Sequence, residues 1–489
     1  MKNWKKIVAL LVVLAVFAAV FIVLKKTDNG SSPTDTSSPD DINKVDLVEF
    51  AQEDITKIIL KRPDGEITLN YEEREVETLK NKDDGTTERV KEKKKIWVSP
   101  DLDLDNTKGE DIALSGAIAT TMRLIEENPQ DPTIYGLNGS YITTFVSKDG
   151  KQVGLEMGDE NPAGDAFYVR VVGDTKVYVI DTYRGNILRF GRLDIMNRNL
   201  YGTEAILTDD ITSLALTKGG TKIFEGRKQP DNPDWMITYP VERKADATDI
   251  SKFLQWIPEM RVYQFVSEGN SDLKTYGLDN PKYILEYTLI GKTYSLKLGN
   301  LEDSLYYAML DGDPRIFKLS SSAMNFLDLP AIDVMDTFAY IPMIYDVEKL
   351  VIEMDGRVDE LLINASRDDE VEETFIINGT KMEGDKQVSL FRKYYQGAIA
   401  IQGDRLDLNA VPTGKAEIKL TYTMKVANPD KVVVVELIPT PDGYGYYLVV
   451  NGEYTGMAMG KRLLDKTDMG IRQAYTNLME GLKEASESQ

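Results

Sequence analysis

Two spacings in this 489-residue chain invite a chemical reading. The run Asp101-Leu-Asp-Leu-Asp105-Asn106 resembles the opening of a calcium loop, in which alternating carboxylates converge on a hard cation. The pattern then breaks, with Asn106 where the loop needs its turn glycine and Ile112 where it needs the closing glutamate. The run therefore reads as a solvated turn leading into a helix. The second spacing, Ser271-Asp-Leu-Lys274, matches the Ser-x-x-Lys of acyl-transfer enzymes, where the lysine takes the serine proton. The Ser-Asp-Asn and Lys-Thr-Gly elements that complete such a site are missing. Neither spacing recurs at the equivalent place elsewhere in the chain. Nucleophile elbows, phosphate-binding loops and dinucleotide fingerprints are also lacking. The 80 acidic residues offer many pairs for glycoside hydrolysis, but sequence alone sets no distance between them.

Composition narrows the chemistry further. The chain has no cysteine and no histidine. That removes thiolate nucleophiles, disulfides, the commonest general base and the commonest transition-metal ligand. The expectation is a non-enzymatic protein with no cofactor and no metal.

What does repeat is apolar, aromatic and turn-forming. The phrases Phe167-Tyr-Val-Arg-Val171, Tyr306-Tyr-Ala-Met-Leu310 and Tyr446-Tyr-Leu-Val-Val450 each run into a glycine turn and a second apolar segment, the pattern of a β-hairpin. Upstream stand Trp97, Trp235 and Phe375, each leading a strand, at intervals of 138 and 140 residues. Tyr135-Gly136-Leu137 and Tyr276-Gly277-Leu278 lie 141 apart, and Tyr168, Tyr307 and Tyr447 are separated by 139 and 140. Gly136 and Gly277 read as tight-turn glycines with the tyrosine and leucine packed beside them. A period this long lies far above that of solenoid repeats, so each unit should own its core.

The elements within each unit follow in order. A strand pair comes first, then the aromatic-led strand, a helix, two more strands and the closing hairpin. The helices are expected over about Gly109 to Glu126, Ala247 to Glu259 and Lys386 to Ile399. In the first, Leu114, Ile118 and Met122 fall at i, i+4 and i+8, so they share a face. Hairpin-sized connections predict antiparallel pairing. The fold class is α+β: three tandem, mainly antiparallel β modules, each with one principal helix, behind an N-terminal transmembrane helix. The modules span residues 45–195, 196–345 and 346–489, the last being the most diverged because it lacks Tyr-Gly-Leu. The mixed-charge stretch from Glu72 to Lys95 reads as a long solvated hairpin with cross-strand charge pairs, or as a docking arm.

Residues 1–26 read as a cytoplasmic N-terminus and membrane anchor. Ile7 to Leu24 is an unbroken apolar run of 18 residues, about 27 Å as a helix against a hydrocarbon layer of ~30 Å. Trp4 and the flanking lysines suit the two interfaces, and Lys2, Lys5 and Lys6 favour a cytoplasmic N-terminus. Residues 27–44 read as a flexible linker, rich in Ser, Thr, Pro and Asp. The first 26 residues hold five of the 58 Lys+Arg and none of the 80 Asp+Glu, so the remainder carries a net charge of −27. Such a body is repelled by nucleic acid and anionic lipid. It should stand off the membrane on the extracytoplasmic side.

Trp followed by Pro, a helix, Tyr276-Gly-Leu-Asp-Asn-Pro281, the strand end Leu296-Lys-Leu-Gly299 and then Tyr-Tyr with a hairpin together resemble the domain of unknown function 4340 family. The resemblance is clearest over about residues 55–330. It implies a single N-terminal membrane segment, an extracytoplasmic repeat region and an accessory role beside an ABC-type transport system related to gliding-motility permeases. It carries over no catalytic residue. A binding module for envelope glycan, with Tyr306 or Tyr446 in an exposed aromatic cleft, and a carboxylate-based envelope hydrolase stay open as alternatives.

Overall fold

Strands that alternate buried and exposed side chains need one covered face, and this chain supplies that cover three times over. The computed structural model describes residues 45–202, 205–230, 232–269, 272–368, 372–426, 430–467 and 470–487. The predicted anchor, the linker and Ser271 lie outside them. Among the described residues no helix is long and apolar enough to cross a membrane.

Three antiparallel sheets share one plan. The first runs in the spatial order Thr87–Val98, Gly65–Asn81, Ile55–Arg62, Ile142–Ser147, Gln152–Glu160, Ala166–Val171, Val177–Asp181, Arg123–Glu126. The second repeats it from Arg243–Lys244 and Asn232–Tyr239 at one edge to Gln264–Ser267 at the other, and the third from Thr380–Lys381 to Arg405–Leu406. At the centre of each, the opening strand pairs with the second strand after the helix, the first lying at the far edge. Ile58 faces Phe145, Leu216 faces Leu285, and Ile352 faces Leu420. The helix therefore carries the chain from one edge of the sheet to the other. The hairpin turns Asp355-Gly356 and Asn451-Gly452 place both residues at positive φ, as tight two-residue turns between twisted strands require.

Among the described residues six helices accompany the sheets: α1 (Asn106–Ala117), α2 (Thr182–Leu188), α3 (Arg192–Ile195), α4 (Ala247–Glu259), α5 (Gly384–Ile399) and α6 (Ile471–Glu487). Asp105 caps α1 by accepting from the Thr107 amide at 3.0 Å, and Asp246 caps α4 through the amides of Thr248 and Asp249, both at 2.9 Å. The expected extent of α4 is the observed one. The expectation for α1 is overturned: the helix stops at Ala117, and Leu114, Ile118 and Met122 are 44%, 46% and 43% exposed. Its buried face is Gly109, Ile112, Ala113, Ser115 and Gly116. The sheet presents large rings there, Trp97 beneath Gly109 and Phe145 beneath Gly116, and a Cβ on either glycine would lie 2.4 or 2.2 Å from them. Small residues let the backbone approach, so Ile112 is the one large apolar side chain on that face and Leu114 turns outward. Gly116→Ala should accordingly lower stability by about 1–3 kcal/mol through overpacking. A lowered midpoint of denaturant unfolding is the expected reading, and an unchanged midpoint would show that α1 can lift off Phe145 at no cost.

By spatial grouping the chain forms two units. Of the described residues, one comprises those from Val45 to Arg74 with Lys93–Met196, the other Glu75–Glu92 with those from Asn197 onward. In the first unit Arg62 is buried against backbone carbonyls. Its guanidinium donates to those of Leu188 (2.9 Å), Phe190 (2.7 Å) and Ile142 (3.0 Å), so it closes the C-terminus of α2. Burial lowers its pKa to about 10. The second unit holds the second and third sheets. Arg243 donates to the carbonyls of Asp336 (2.8 Å) and Phe338 (2.7 Å), and the Ala339 amide reaches the Ile401 carbonyl at 2.8 Å, tying the connecting segment to both.

Strands Gly65–Asn81 and Thr87–Val98 extend as a long hairpin closed by the Lys82–Thr86 turn. Its charges pair across the strands: Lys80 with Glu92, Lys82 with Glu88 at 2.8 Å, Lys91 with Glu75 at 3.3 Å and Lys93 with Glu73 at 3.7 Å. Near the turn Arg89 donates to the Ala205 carbonyl at 2.8 Å and pairs with Asp210.

Candidate functional site

The repeated aromatics form two separate clusters in each sheet. Trp97, Trp235 and Phe375 are all buried on the third strand of their sheets. The Trp97 ring meets Tyr71 at 5.2 Å and supports α1, and its amide donates to the Asn106 side chain at 2.7 Å. Phe375 meets Phe391 of α5 at 5.1 Å. The Trp235 carbonyl accepts the Ala245 amide at 2.8 Å, two residues before α4. These residues fix where the helix lands on the sheet.

The second cluster pins the loop after the edge strand. Tyr135 ends the 3₁₀ turn Pro132–Tyr135, and Gly136 follows at φ 74°; Tyr276 and Gly277 (φ 69°) repeat the arrangement. The tyrosine carbonyl lies so close to the neighbouring strand that only glycine fits there. A Cβ on Gly158 or Gly299 would stand 2.1 or 2.2 Å from it. The Tyr135 ring packs on Tyr168 at 4.8 Å and Tyr276 on Tyr307 at 4.9 Å, while Leu137 and Leu278 are buried. The third sheet, lacking the phrase, solves the problem differently. Tyr447 meets Tyr454 at 5.5 Å, and both hydroxyls bond Asp407, one at its carboxylate (3.4 Å) and one at its carbonyl (2.9 Å). The signature residues thus hold loops and helices to sheets.

The acidic run is likewise taken up locally. Asp101 accepts the Thr68 amide at 3.0 Å, Asp105 caps α1, and Asn106 holds Trp97. Among the described residues no group of three acidic side chains is placed to hold a metal ion. Lys274 lies in the 3₁₀ turn Leu273–Tyr276, whose cap is Asp272. The rings named for glycan stacking are buried: Tyr306, with Tyr283 edge-on at 6.0 Å, and Tyr446, whose hydroxyl donates to Glu417 at 2.9 Å. Burial, with Glu417 next, pushes that hydroxyl up to about 12.

Sequence reasoning missed one concavity. A groove of about 360 Å³ lies along the outer face of α4, lined by Lys252, Gln255, Trp256, Glu259, Asn325 and Phe326 among others. Trp256 and Phe326 form its apolar wall with ring centroids 5.5 Å apart, and Phe326 is held from behind by Phe253 at 4.5 Å. Lys252 pairs with Asp249 on its own helix. The available signal was a tryptophan on a helix whose core is already filled by Ile250, Phe253 and Ile257.

Three sheets of one plan, each crossed by a helix, define a tandem α+β repeat protein. The chain belongs to the domain of unknown function (DUF4340) family, whose model matches residues 100–234 and 235–389, more than half its length. Both matches begin beside the Trp97 and Trp235 strands, so the family unit starts within one sheet and runs into the next. No curated protein and no solved structure matches the chain.

Proposed function

We propose that this protein is a single-pass, membrane-anchored extracytoplasmic scaffold that works beside an ABC-type transporter of the gliding-motility type. The observation that carries the reading is that the recurrent residues pack: Trp97, Trp235, Phe375, Tyr135, Tyr276, Tyr168, Tyr307 and Tyr447 hold elements to their sheets. The apolar run Ile7 to Leu24 supplies the anchor and residues 27–44 the reach. The acidic body keeps the modules off anionic surfaces and nucleic acid. The partner is the permease in the same membrane. Detergent pull-down of the full chain from its native membrane tests this: co-recovery of a permease and its ATPase is expected, and recovery of no membrane partner would sink the reading.

A further inference from the structure

In two of the three sheets the crossing helix is itself covered by a helix that follows the last long strand. In the first sheet α1 packs against α2, and Lys108 of α1 lies 5.0 Å from the Phe190 ring just beyond it. In the third sheet α5 packs against α6. In the second sheet the corresponding segment forms only the 3₁₀ turns Ser321–Ala323 and Asn325–Asp328, and the outer face of α4 is left as the groove.

The correspondence holds residue by residue. Phe253 of α4 and Phe391 of α5 are fully buried, and each is in contact with a sheet aromatic, Phe224 at 5.2 Å and Phe375 at 5.1 Å. Aligning them places Lys252, Trp256 and Glu259 at Leu390, Tyr394 and Gly397. Those three positions of α5 are where α6 rests. Tyr394 meets Tyr475 at 5.6 Å, a Cβ on Gly481 would stand 2.4 Å from Leu390, and one on Gly397 would stand 2.9 Å from the Ile471 backbone. These contacts run from the C-terminal end of α5 to its middle while α6 advances, so the two helices are antiparallel. In the second sheet the same positions line an open groove, and the side chains of Gln255, Glu259 and Asn325 on its rim have no hydrogen bond or ion pair with described residues.

We propose that the α4 groove receives an amphipathic helix of a partner protein, laid antiparallel along α4 as α6 lies along α5. The incoming helix would carry apolar anchors at the spacing of Ile471, Tyr475, Leu478 and Leu482, with a large side chain against Trp256. Its N-terminus would approach Glu259, where the positive end of a helix dipole meets a carboxylate. The chain's own C-terminal helix does not serve, because α6 is already engaged by α5. The inference rests on the reading that the protein works inside an assembly.

The test uses the full chain in its native membrane with a photo-crosslinking amino acid at Gln255, and sequences the attached peptide. A segment of a second protein with apolar residues at i, i+4 and i+7 is expected. Asn325→Trp, which fills the groove from an exposed position, should cut that crosslink by about tenfold or more, while a crosslinker at exposed Tyr444 is unaffected. Attachment only to another copy of this chain, or to nothing, overturns the proposal. If the pull-down recovers the permease while Gln255 attaches to nothing, the groove proposal falls and the functional reading stands. If Gln255 attaches to a helix of a protein outside any transport system, the functional reading falls and the groove stands.

Discussion

Asp359→Ala should cost the second unit about 3–5 kcal/mol, the range for removing one member of a buried charge pair. Asp359 is buried on strand Arg357–Asn364, and three donors converge on its carboxylate. The Tyr394 hydroxyl reaches it at 2.9 Å, the Asn378 side-chain amide at 2.9 Å and the Arg357 guanidinium at 3.2 Å. Arg357 in turn lies over the Tyr475 ring at 3.7 Å, and its Nη2 is buried without a partner among the described residues. Alanine would strand a hydroxyl, an amide and a guanidinium together, whereas Tyr394→Phe removes one hydrogen bond and should cost only about 1–2 kcal/mol. Burial first, and Asp359 next, raise the Tyr394 hydroxyl pKa, so it stays a donor at any physiological pH. Urea unfolding of both variants is the measurement. Equal losses from the two would show that the carboxylate organises nothing beyond its bond to Tyr394.

Deleting α6 by truncation after Gly470 should be the larger disruption, on the order of 5 kcal/mol from apolar burial at roughly 1.5–3 kcal/mol per fully buried side chain. Ile471 and Leu478 are fully buried, and Ala474, Tyr475, Met479 and Leu482 pack against the same core. Removal exposes Tyr394 and the small face around Gly397, and it frees Asp355, which Arg472 holds through two bonds of 2.9 Å. That pairing lowers the Asp355 pKa. Its contribution is therefore complete above the ordinary carboxylate value and is lost as the pH falls through the lowered one. Hydrogen exchange should show strands Arg357–Asn364 and Thr374–Ile377 losing protection, with the first sheet unchanged. Retained protection in those strands would mean that α6 is a passive appendage, and would remove the precedent on which the α4 groove is read.

The strands are legible in the sequence because alternation is a local property. Ile58 and Leu60, or Val433, Val435 and Leu437, announce a covered face whatever covers it. Helix α4 is legible for the same reason, since Ile250, Phe253 and Ile257 carry its buried face at helical spacing. Helix α1 misleads because Leu114 is exposed while glycines share the buried face with Ile112. Glycines against the Trp97 and Phe145 rings decide which side faces inward, and that depends on side chains 12 to 29 residues away. Helix α6 goes unpredicted although Ile471, Tyr475, Leu478 and Leu482 are spaced for a helix. The α4 groove is signalled in the sequence only by Trp256, because it is defined by what fails to cover it.

By itself the sequence determined the repeat, the strand pattern, the absence of cysteine and histidine and the family, because each of these is written in residue type and spacing. Tertiary structure alone decided which partners the acidic run takes, which rings the signature aromatics meet, and that one crossing helix of three stands open. Those facts depend on which distant surfaces meet, and burial is a property of the pair rather than of either partner.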